Sequence, residues 1–360
     1  GFRMDILLNV LRDTKINEEI TISGSKSESN RLLILQNLFP EISIENLSDS
    51  DDSIHMQHAL STKDEVVDIG HAGTAMRFLT SYFAVKSGRE VVLTGSERMQ
   101  NRPIEILVNA LKDLGADISY EAKVGYPPIR IKGINSTKEK VQINGNVSSQ
   151  YISSLLLIAS KLENGLEIEL VGKITSIPYI NMTLSLLNQL AIETSFEGNI
   201  IKVFPKEAIQ KQTVVVESDW SSASYFYSII ASAAIGSSIK LSAYKKESLQ
   251  GDSCLAEIYT HFGVATTFGK DCIILKKEGK TNAETLAINL KNAPDIAQTI
   301  AVTCFSEGIS CNLTGLHTLK IKETDRLEAL KEELTNLGAL ISVTNDSLHI
   351  ERSSEINQNI

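Results

Sequence analysis

The sequence predicts an α/β protein of two domains, built from a repeated β-α-β-α-β-β unit. Three observations carry that prediction. The chain has 360 residues, enough for two domains that each bury a core of their own. Four segments share one design: a helix ending in a small residue, then a strand, a turn and a second strand. Eight short clusters of Ser, Thr, Asp, Lys or Arg run directly into an amphipathic helix.

The four repeated segments are ALKDLGADISYEAKVGYPPIRIKG, LLNQLAIETSFEGNIIKVF, IYTHFGVATTFGKDCIILK and KEELTNLGALISVTNDSLHIERS. Their equivalent positions Gly115, Ala191, Gly263 and Gly338 are spaced by 76, 72 and 75 residues. Glycine suits the residue just past a helix end, where the backbone turns left-handed. Alternation in DISYEA and LISV reads as strands with one buried face. Between hairpins each unit inserts a further strand and a capped helix, as in EIELVGKITSIPYINMTLSLL. A period above the usual solenoid range indicates duplicated subdomains. Like units packed about a pseudo-axis would point equivalent helix ends the same way.

The eight helix starts are GSKSESNRLLIL, GHAGTAMRFL, NRPIEILVNAL, SSQYISSLLLIA, SIPYINMTLSLL, SDWSSASYFYSII, NAPDIAQTIAV and IKETDRLEAL. A helix start offers unpaired N–H groups and a partial positive charge, so it receives anions such as phosphate. Ser, Thr and Asp are also ordinary caps. What separates these starts from plain caps is the added Lys26, Arg31, Arg77, Arg102, Lys322 and Arg326. Two other starts, DSDDSIHMQHAL and LQGDSCLAEIYTHFG, read as plain acidic capping.

Hydrophobic content of 42% and charged content of 22% are those of a globular protein. No apolar run approaches the roughly 20 residues of a membrane span, and no signal peptide precedes the first strand; a cytoplasmic location is expected. Cys254, Cys272, Cys304 and Cys311 lack a CxxC spacing and read as buried free thiols. A net charge of −9 argues against nucleic acid, whose binders carry a basic face, and confines any positive field to a local cleft. His55 and His58 read as surface helix positions, not metal ligands, since no third ligand lies near them in sequence.

The motifs GSKSESNR, AGTAMR, the RPI of LTGSERMQNRPI, the SSQ at 148–150, DWSSASYF and IKETDRL occur in one order and spacing. In these the chain resembles the 5-enolpyruvylshikimate-3-phosphate synthases of the enolpyruvyl transferase family, from Gly24 to about Ile350. The resemblance implies a two-domain inside-out α/β barrel, helices inside and sheets outside, with three units per domain. It places one domain at 25–217 and the other at 1–24 joined to 218–360. The hinge crossings fall near 23–25 and 217–220, and Trp220, Ser221 and Ser222 belong to the hinge. It also implies that the helix starts of both halves face a shared cleft, open when unliganded because its walls carry like charge.

The implied activity is that of a 3-phosphoshikimate 1-carboxyvinyltransferase of the shikimate pathway, which makes chorismate and aromatic amino acids. It moves the enolpyruvyl group of phosphoenolpyruvate to the 5-hydroxyl of shikimate 3-phosphate and releases phosphate. Asp295 is implied as base for that hydroxyl, with Lys322 beside it, and Glu323 as the group exchanging a proton with C3 of phosphoenolpyruvate. Lys26 is a third candidate for proton transfer. Lys26 and Arg102 would grip the phosphoenolpyruvate phosphate with the Gly73 backbone and Gln150, and Arg326 its carboxylate. Arginine's planar fork bonds two oxygens of such an anion at once. Ser148, Ser149, Ser176 and Lys322 would hold the shikimate phosphate. Ser27 and Arg31 would take its carboxylate, with Gln150 under the ring and Tyr179 beside it. Thr74 and Arg77 begin the helix behind the phosphoenolpyruvate pocket, and Arg77 reads equally well as structural.

His71 stands where the family often has Asn. The family pattern continues past EINQNI for roughly 50 residues, the better part of one repeat. That segment carries an Asp-His-Arg-Met-Ala motif and a later lysine. The resemblance thus implies an incomplete last unit and a chain that is weakly active or inactive alone. No metal or organic cofactor is implied, nor any nucleic-acid or membrane partner. A monomer is expected, and the resemblance implies a family whose members commonly bind glyphosate in the phosphoenolpyruvate pocket. The alternatives are transfer to a UDP-linked amino sugar (UDP-N-acetylglucosamine), opposed by KSESNR and by the lack of a cysteine before Cys254, and a non-catalytic anion binder of the same fold.

Overall fold

The computed structural model describes residues 14–175, 177–319 and 326–352. The chain divides into two compact units, one Ser23–Val216, the other Gly1–Ile22 with Glu217–Ile360. It therefore passes from one unit to the other twice.

The first strand, β1 (Asn17–Ile20), leads to α1 (Lys26–Leu38), β2 (Ile42–Glu45) and α2 (Asp51–Ser61). Two full copies of the repeat follow. One is β3 (Val66–Asp68), α3 (Gly73–Val85), β4 (Glu90–Thr94), α4 (Glu105–Asp113), β5 (Asp117–Tyr120) and β6 (Ile129–Lys132). The next is β7 (Lys140–Asn144), α5 (Ser149–Ala159), β8 (Leu166–Val171), α6 (Ile177–Gln189), β9 (Thr194–Glu197) and β10 (Ile200–Val203). Then β11 (Gln212–Val215), α7 (Trp220–Ser232) and β12 (Ser238–Ser242) lead into helical turns through 251–262. These turns stand where a capped helix is expected from LQGDSCLAEIYTHFG. After them come the hairpin β13 (Val264–Gly269) and β14 (Cys272–Lys277), then β15 (Thr285–Asn289), α8 (Ala297–Ser306) and β16 (Ser310–Thr314). The described chain ends with α9 (Arg326–Asn336), β17 (Leu340–Val343) and β18 (Leu348–Glu351).

Four sheets share one strand order: β3-β4-β6-β5, β7-β8-β10-β9, β1-β12-β14-β13 and β15-β16-β18-β17. In each, the first pair is parallel, joined across a helix in all but β1-β12, and the last two strands form an antiparallel hairpin. The two-stranded sheet pairs β11 with β2 in parallel. Three full units per domain are expected, but the Ser23–Val216 unit has two plus a third shortened to β11, α1, β2 and α2. Among the described residues the other unit has two. The crossings explain the odd strands. β1 opens the sheet of β12, yet the chain leaves it for α1; β11 pairs with β2, yet the chain leaves it for α7. Each unit is thus closed by a strand from the far end of its own sequence.

Gly115, Ala191, Gly263 and Gly338 all have positive φ, at 95°, 62°, 72° and 98°. They sit where the repeat predicts a left-handed residue ending a helix. Ala191 accepts a conformation its Cβ disfavours, because the chain must reverse there as in the other three copies.

Within each unit helices lie inside and sheets outside. Every residue of α5 from Tyr151 to Ala159 is buried, and α1 and α3 are buried along most of their length. A helix apolar on all sides belongs at the centre of a core. The strands alternate, as Val91 and Leu93 do inward from β4. Trp220, expected at the hinge, is fully buried in the core of its unit. Of the four free cysteines, Cys304 and Cys311 are buried but Cys254 and Cys272 are partly exposed, so burial holds for two. Among the described residues no helix is long and apolar enough to cross a membrane.

Candidate active site

The Ser23–Val216 unit contains a cavity of about 440 Å³. Its walls bring together Lys26 from α1, Asp51, Asp52 and His55 from α2, Gly70, His71 and Ala72 before α3, Gly73, Thr74 and Arg77 in α3, Arg102, and Gln150 from α5. All of Lys26, Gly73, Thr74, Arg77, Arg102 and Gln150 are residues singled out in the sequence.

The start of α3 explains why an anion suits this place. Ala72 caps the helix and supplies no side-chain acceptor. The first-turn N–H groups are therefore left for a ligand. Other starts spend donors internally: Ser25 accepts from Glu28 N, Ser148 from Gln150 N and Asp219 from Ser221 N. The starts of α4 and α8, at Ile104 and Ile296, also lack a side-chain cap, but neither residue lines this cavity, whereas the uncapped start of α3 does.

Two guanidinium groups crowd Gly73. A Cβ built there would stand 2.5 Å from Arg102 Nη1 and 3.2 Å from Arg77 Nη1, so any side chain would push the Arg102 guanidinium aside. Arg77 Nη1 donates to Gln150 Oε1 at 2.7 Å, and Gln150 Nε2 donates to Thr74 Oγ1 at 2.9 Å. Arg77 also lies over the Tyr151 ring, whose hydroxyl donates to Pro103 O at 2.8 Å. Arg77 is therefore fixed in the wall. Arg102 is exposed, yet its pKa lies below the usual arginine value, through desolvation first and then through Arg77 and Arg98 beside it. Positive charge gathered in this way favours a bound anion.

The α2 residues were missed by the sequence reading, which takes DSDDSIHMQHAL as plain capping. Ser50 does cap α2, but Asp52 also faces the cavity. Asn30 Nδ2 donates to Asp52 Oδ2 at 3.0 Å, and Ser53 Oγ donates to Asn30 Oδ1 at 2.8 Å. Asn30 is one helical turn from Lys26, so this bond locks the Lys26 face of α1 to α2. No sequence spacing announces a pair formed between two helices. His55, expected on the surface, is half-buried in the cavity wall.

Ser27, Arg31, Ser148, Ser149 and Tyr179 lie in the same unit outside that lining. Arg31 is 3% exposed. Its Nε donates to Thr183 Oγ1 at 2.8 Å, Nη1 to Ser27 O at 2.9 Å and Nη2 to Ser153 Oγ at 3.3 Å. Burial lowers its pKa to about 10, against the opposing pull of Tyr179 and Glu28. Ser148 caps α5 and Ser149 is its first residue, while Tyr179 is exposed on α6.

In the other unit Asp295 lies in the 3₁₀ turn leading into α8, and Arg326 opens α9. Arg326 Nη1 and Asp295 Oδ1 are 3.7 Å apart, both partly exposed. A half-exposed pair at this distance contributes little stability. Ser176, Lys322 and Glu323 lie outside the described residues. Among the described residues no three His, Cys, Asp or Glu side chains gather as metal ligands would.

The family model for EPSP synthase (3-phosphoshikimate 1-carboxyvinyltransferase) matches residues 59–359. A 3-phosphoshikimate 1-carboxyvinyltransferase of Bacteroides fragilis (strain YCH46) is 45% identical over 93% of this chain and 81% of its own length. One of Histophilus somni (strain 2336) is 36% identical over 94% of this chain and 84% of its own. A solved EPSP synthase structure from Acinetobacter baumannii superposes with a TM-score of 0.78 at 20% identity, covering 97% of this chain and 84% of that one.

Proposed function

The chain belongs to the EPSP synthase family, and from that premise we propose how its residues divide the work of enolpyruvyl transfer. The 5-hydroxyl oxygen of shikimate 3-phosphate bonds to C2 of phosphoenolpyruvate while C3 gains a proton. Loss of that proton with breakage of the C2–O bond to phosphate then restores the double bond and frees inorganic phosphate. The observation that carries this reading is the cavity at the uncapped start of α3, where Lys26, Arg77 and Arg102 meet.

Lys26 and Arg102 hold the phosphoenolpyruvate phosphate with the Gly73 backbone, and Gln150 reaches the same place. One pair of unit charges at 4 Å contributes on the order of 4 kcal/mol at an effective dielectric of 20, before desolvation. Several cations are therefore needed to outweigh the water that substrate and site both lose. Arg77 and Thr74 position Gln150 and the helix start. Arg31, buried and bonded to three internal partners, positions Ser27 and Ser153 instead of touching the shikimate carboxylate. Ser27, Ser148, Ser149, Ser176, Tyr179 and Lys322 take shikimate 3-phosphate. From the other unit Asp295 accepts the 5-hydroxyl proton, Arg326 meets the phosphoenolpyruvate carboxylate and Glu323 exchanges the C3 proton.

Incubating the chain with both substrates and following phosphate release, with mass identification of the enolpyruvyl ether, tests the reading. Weak turnover, with phosphate and ether in equal amounts and lost in Asp295→Asn, is expected. Binding of shikimate 3-phosphate without turnover would instead mark a non-catalytic anion binder.

A further inference from the structure

We propose that His71 makes anion binding in this cavity proton-linked, its imidazole taking up a proton as the phosphate group seats. The inference rests on the assignment of the cavity as the phosphoenolpyruvate phosphate site. His71 lines that cavity immediately before Ala72, the residue that leaves α3 without a side-chain cap. Its Nδ1 is 2.9 Å from Ser96 Oγ. Ser96 is itself fixed, since its Oγ accepts from Met99 N at 3.2 Å and its N–H donates to Gly70 O at 2.9 Å. One ring nitrogen is thus used to orient the imidazole, and Nε2 remains for a ligand.

The charges around it come from every neighbouring element. Lys26 stands on α1, Asp51, Asp52 and His55 on α2, and Arg77 on α3. Arg102 follows the turn after β4, with Arg98 close enough to depress it. Asp68 of β3 is committed to Gly70 N at 2.8 Å. Along this lining Lys26, Arg77 and Arg102 outnumber the Asp51 and Asp52 carboxylates, so a further positive charge is opposed. A seated dianion reverses that balance and favours the charged imidazole. Proton uptake and tighter binding are then two faces of one coupling. Asparagine, which the family often carries here, can donate a hydrogen bond but cannot gain a proton.

Calorimetric titration of the full chain with sulfate, whose own charge is constant across the histidine range, tests this in two buffers of different protonation enthalpy. Net proton uptake is expected on binding, with affinity rising roughly fivefold as pH falls through that range. His71→Asn should still bind sulfate while losing both the uptake and the pH slope. Ser96→Ala keeps the imidazole but not its orientation, and should flatten the slope. Uptake that survives in His71→Asn, or that vanishes in His55→Gln instead, would overturn the proposal. So would sulfate that binds at no pH, whereas failure of turnover with both substrates would count against the reaction assignment.

Discussion

In the Ser23–Val216 unit three helices, α1, α3 and α5, pack against one another at the centre, whereas in the other unit α7 and α8 pack beside a layer of aromatic rings. The two helix pairs α3/α5 and α7/α8 are copies in the repeat, and their contacts can be matched by counting from each helix start. Ser81 Oγ meets Ser154 Oγ at 2.5 Å where Thr303 Oγ1 meets Ser228 Oγ at 2.8 Å. One turn earlier the pairs part company. Ser224 and Thr299 join hydroxyls at 3.1 Å, but their counterparts are Arg77 and Gln150 at 2.7 Å. Small hydroxyl rungs let two helices close up to their starts. At the starts of α3 and α5 a long guanidinium and an amide take their place, and both line the cavity. The difference between a sealed helix pair and a binding cavity is thus one rung.

The largest expected effect tests whether the open rung is the functional one. Arg102→Ala removes the cation against Gly73 that is most exposed to an incoming anion. It should lower kcat/KM for phosphoenolpyruvate about 10²–10³-fold, as loss of one preorganised charge donor does. Affinity for shikimate 3-phosphate, measured by calorimetry, should change far less. A loss below tenfold would break the comparison at its central point.

The two kinds of rung also explain what could be read in advance. The repeat was legible because Gly115, Gly263 and Gly338 mark a backbone requirement that few residues meet, and Ala191 falls into step by spacing. The cations of the α3 rung were legible because Lys26, Arg77 and Arg102 sit in recognisable motifs at helix starts. The hydroxyl rungs were not. Ser81, Ser154, Ser228 and Thr303 stand in apolar helices, where a lone hydroxyl has no pattern until the partner helix supplies one. Asp52 was lost for the same reason, since its acidic neighbours make capping a sufficient account. Arg31 carried the signature of a ligand arginine, and only its burial at 3% exposure reveals three internal partners.

Arg31 supplies the second test, because it does for α1, α5 and α6 what rings do in the other unit. There Trp220, Tyr227, Tyr244, Tyr259 and Phe262 fill the centre, with Trp220 edge-on to Tyr244 at 5.0 Å and Tyr227 5.1 Å from Tyr259. Arg31→Met keeps length but leaves Thr183 and Ser153 without their charged donor. It should cost about 3 kcal/mol in denaturant unfolding, in the range seen when one side of a buried charged network is removed. Unchanged stability with a raised KM for shikimate 3-phosphate would return Arg31 to direct contact with the carboxylate.

The smallest effects come from the matched hydroxyl rungs, and their inequality is the sharpest use of the comparison. Ser154 Oγ donates to Arg77 O at 2.7 Å as well as meeting Ser81. In Ser154→Ala the Ser81 hydroxyl can fall back on a carbonyl of its own helix, one turn earlier. The expected loss is about 1 kcal/mol. Thr303 is placed differently, for Tyr259 OH lies 2.8 Å from its Oγ1 and that tyrosine is fully buried. Thr303→Val keeps the shape and strands the phenol, so about 2 kcal/mol should go. The catalytic readout should run the other way. Ser154 touches the carbonyl of Arg77, whose side chain braces Gln150 and Thr74, so Ser154→Ala should raise KM for phosphoenolpyruvate roughly two- to threefold, a shift of about 0.5 kcal/mol. Thr303→Val should leave that constant alone, because no rung of its pair opens onto the cavity. Equal KM shifts in both variants would mean that general softening of the cores, not the Arg77 rung, governs the anion site.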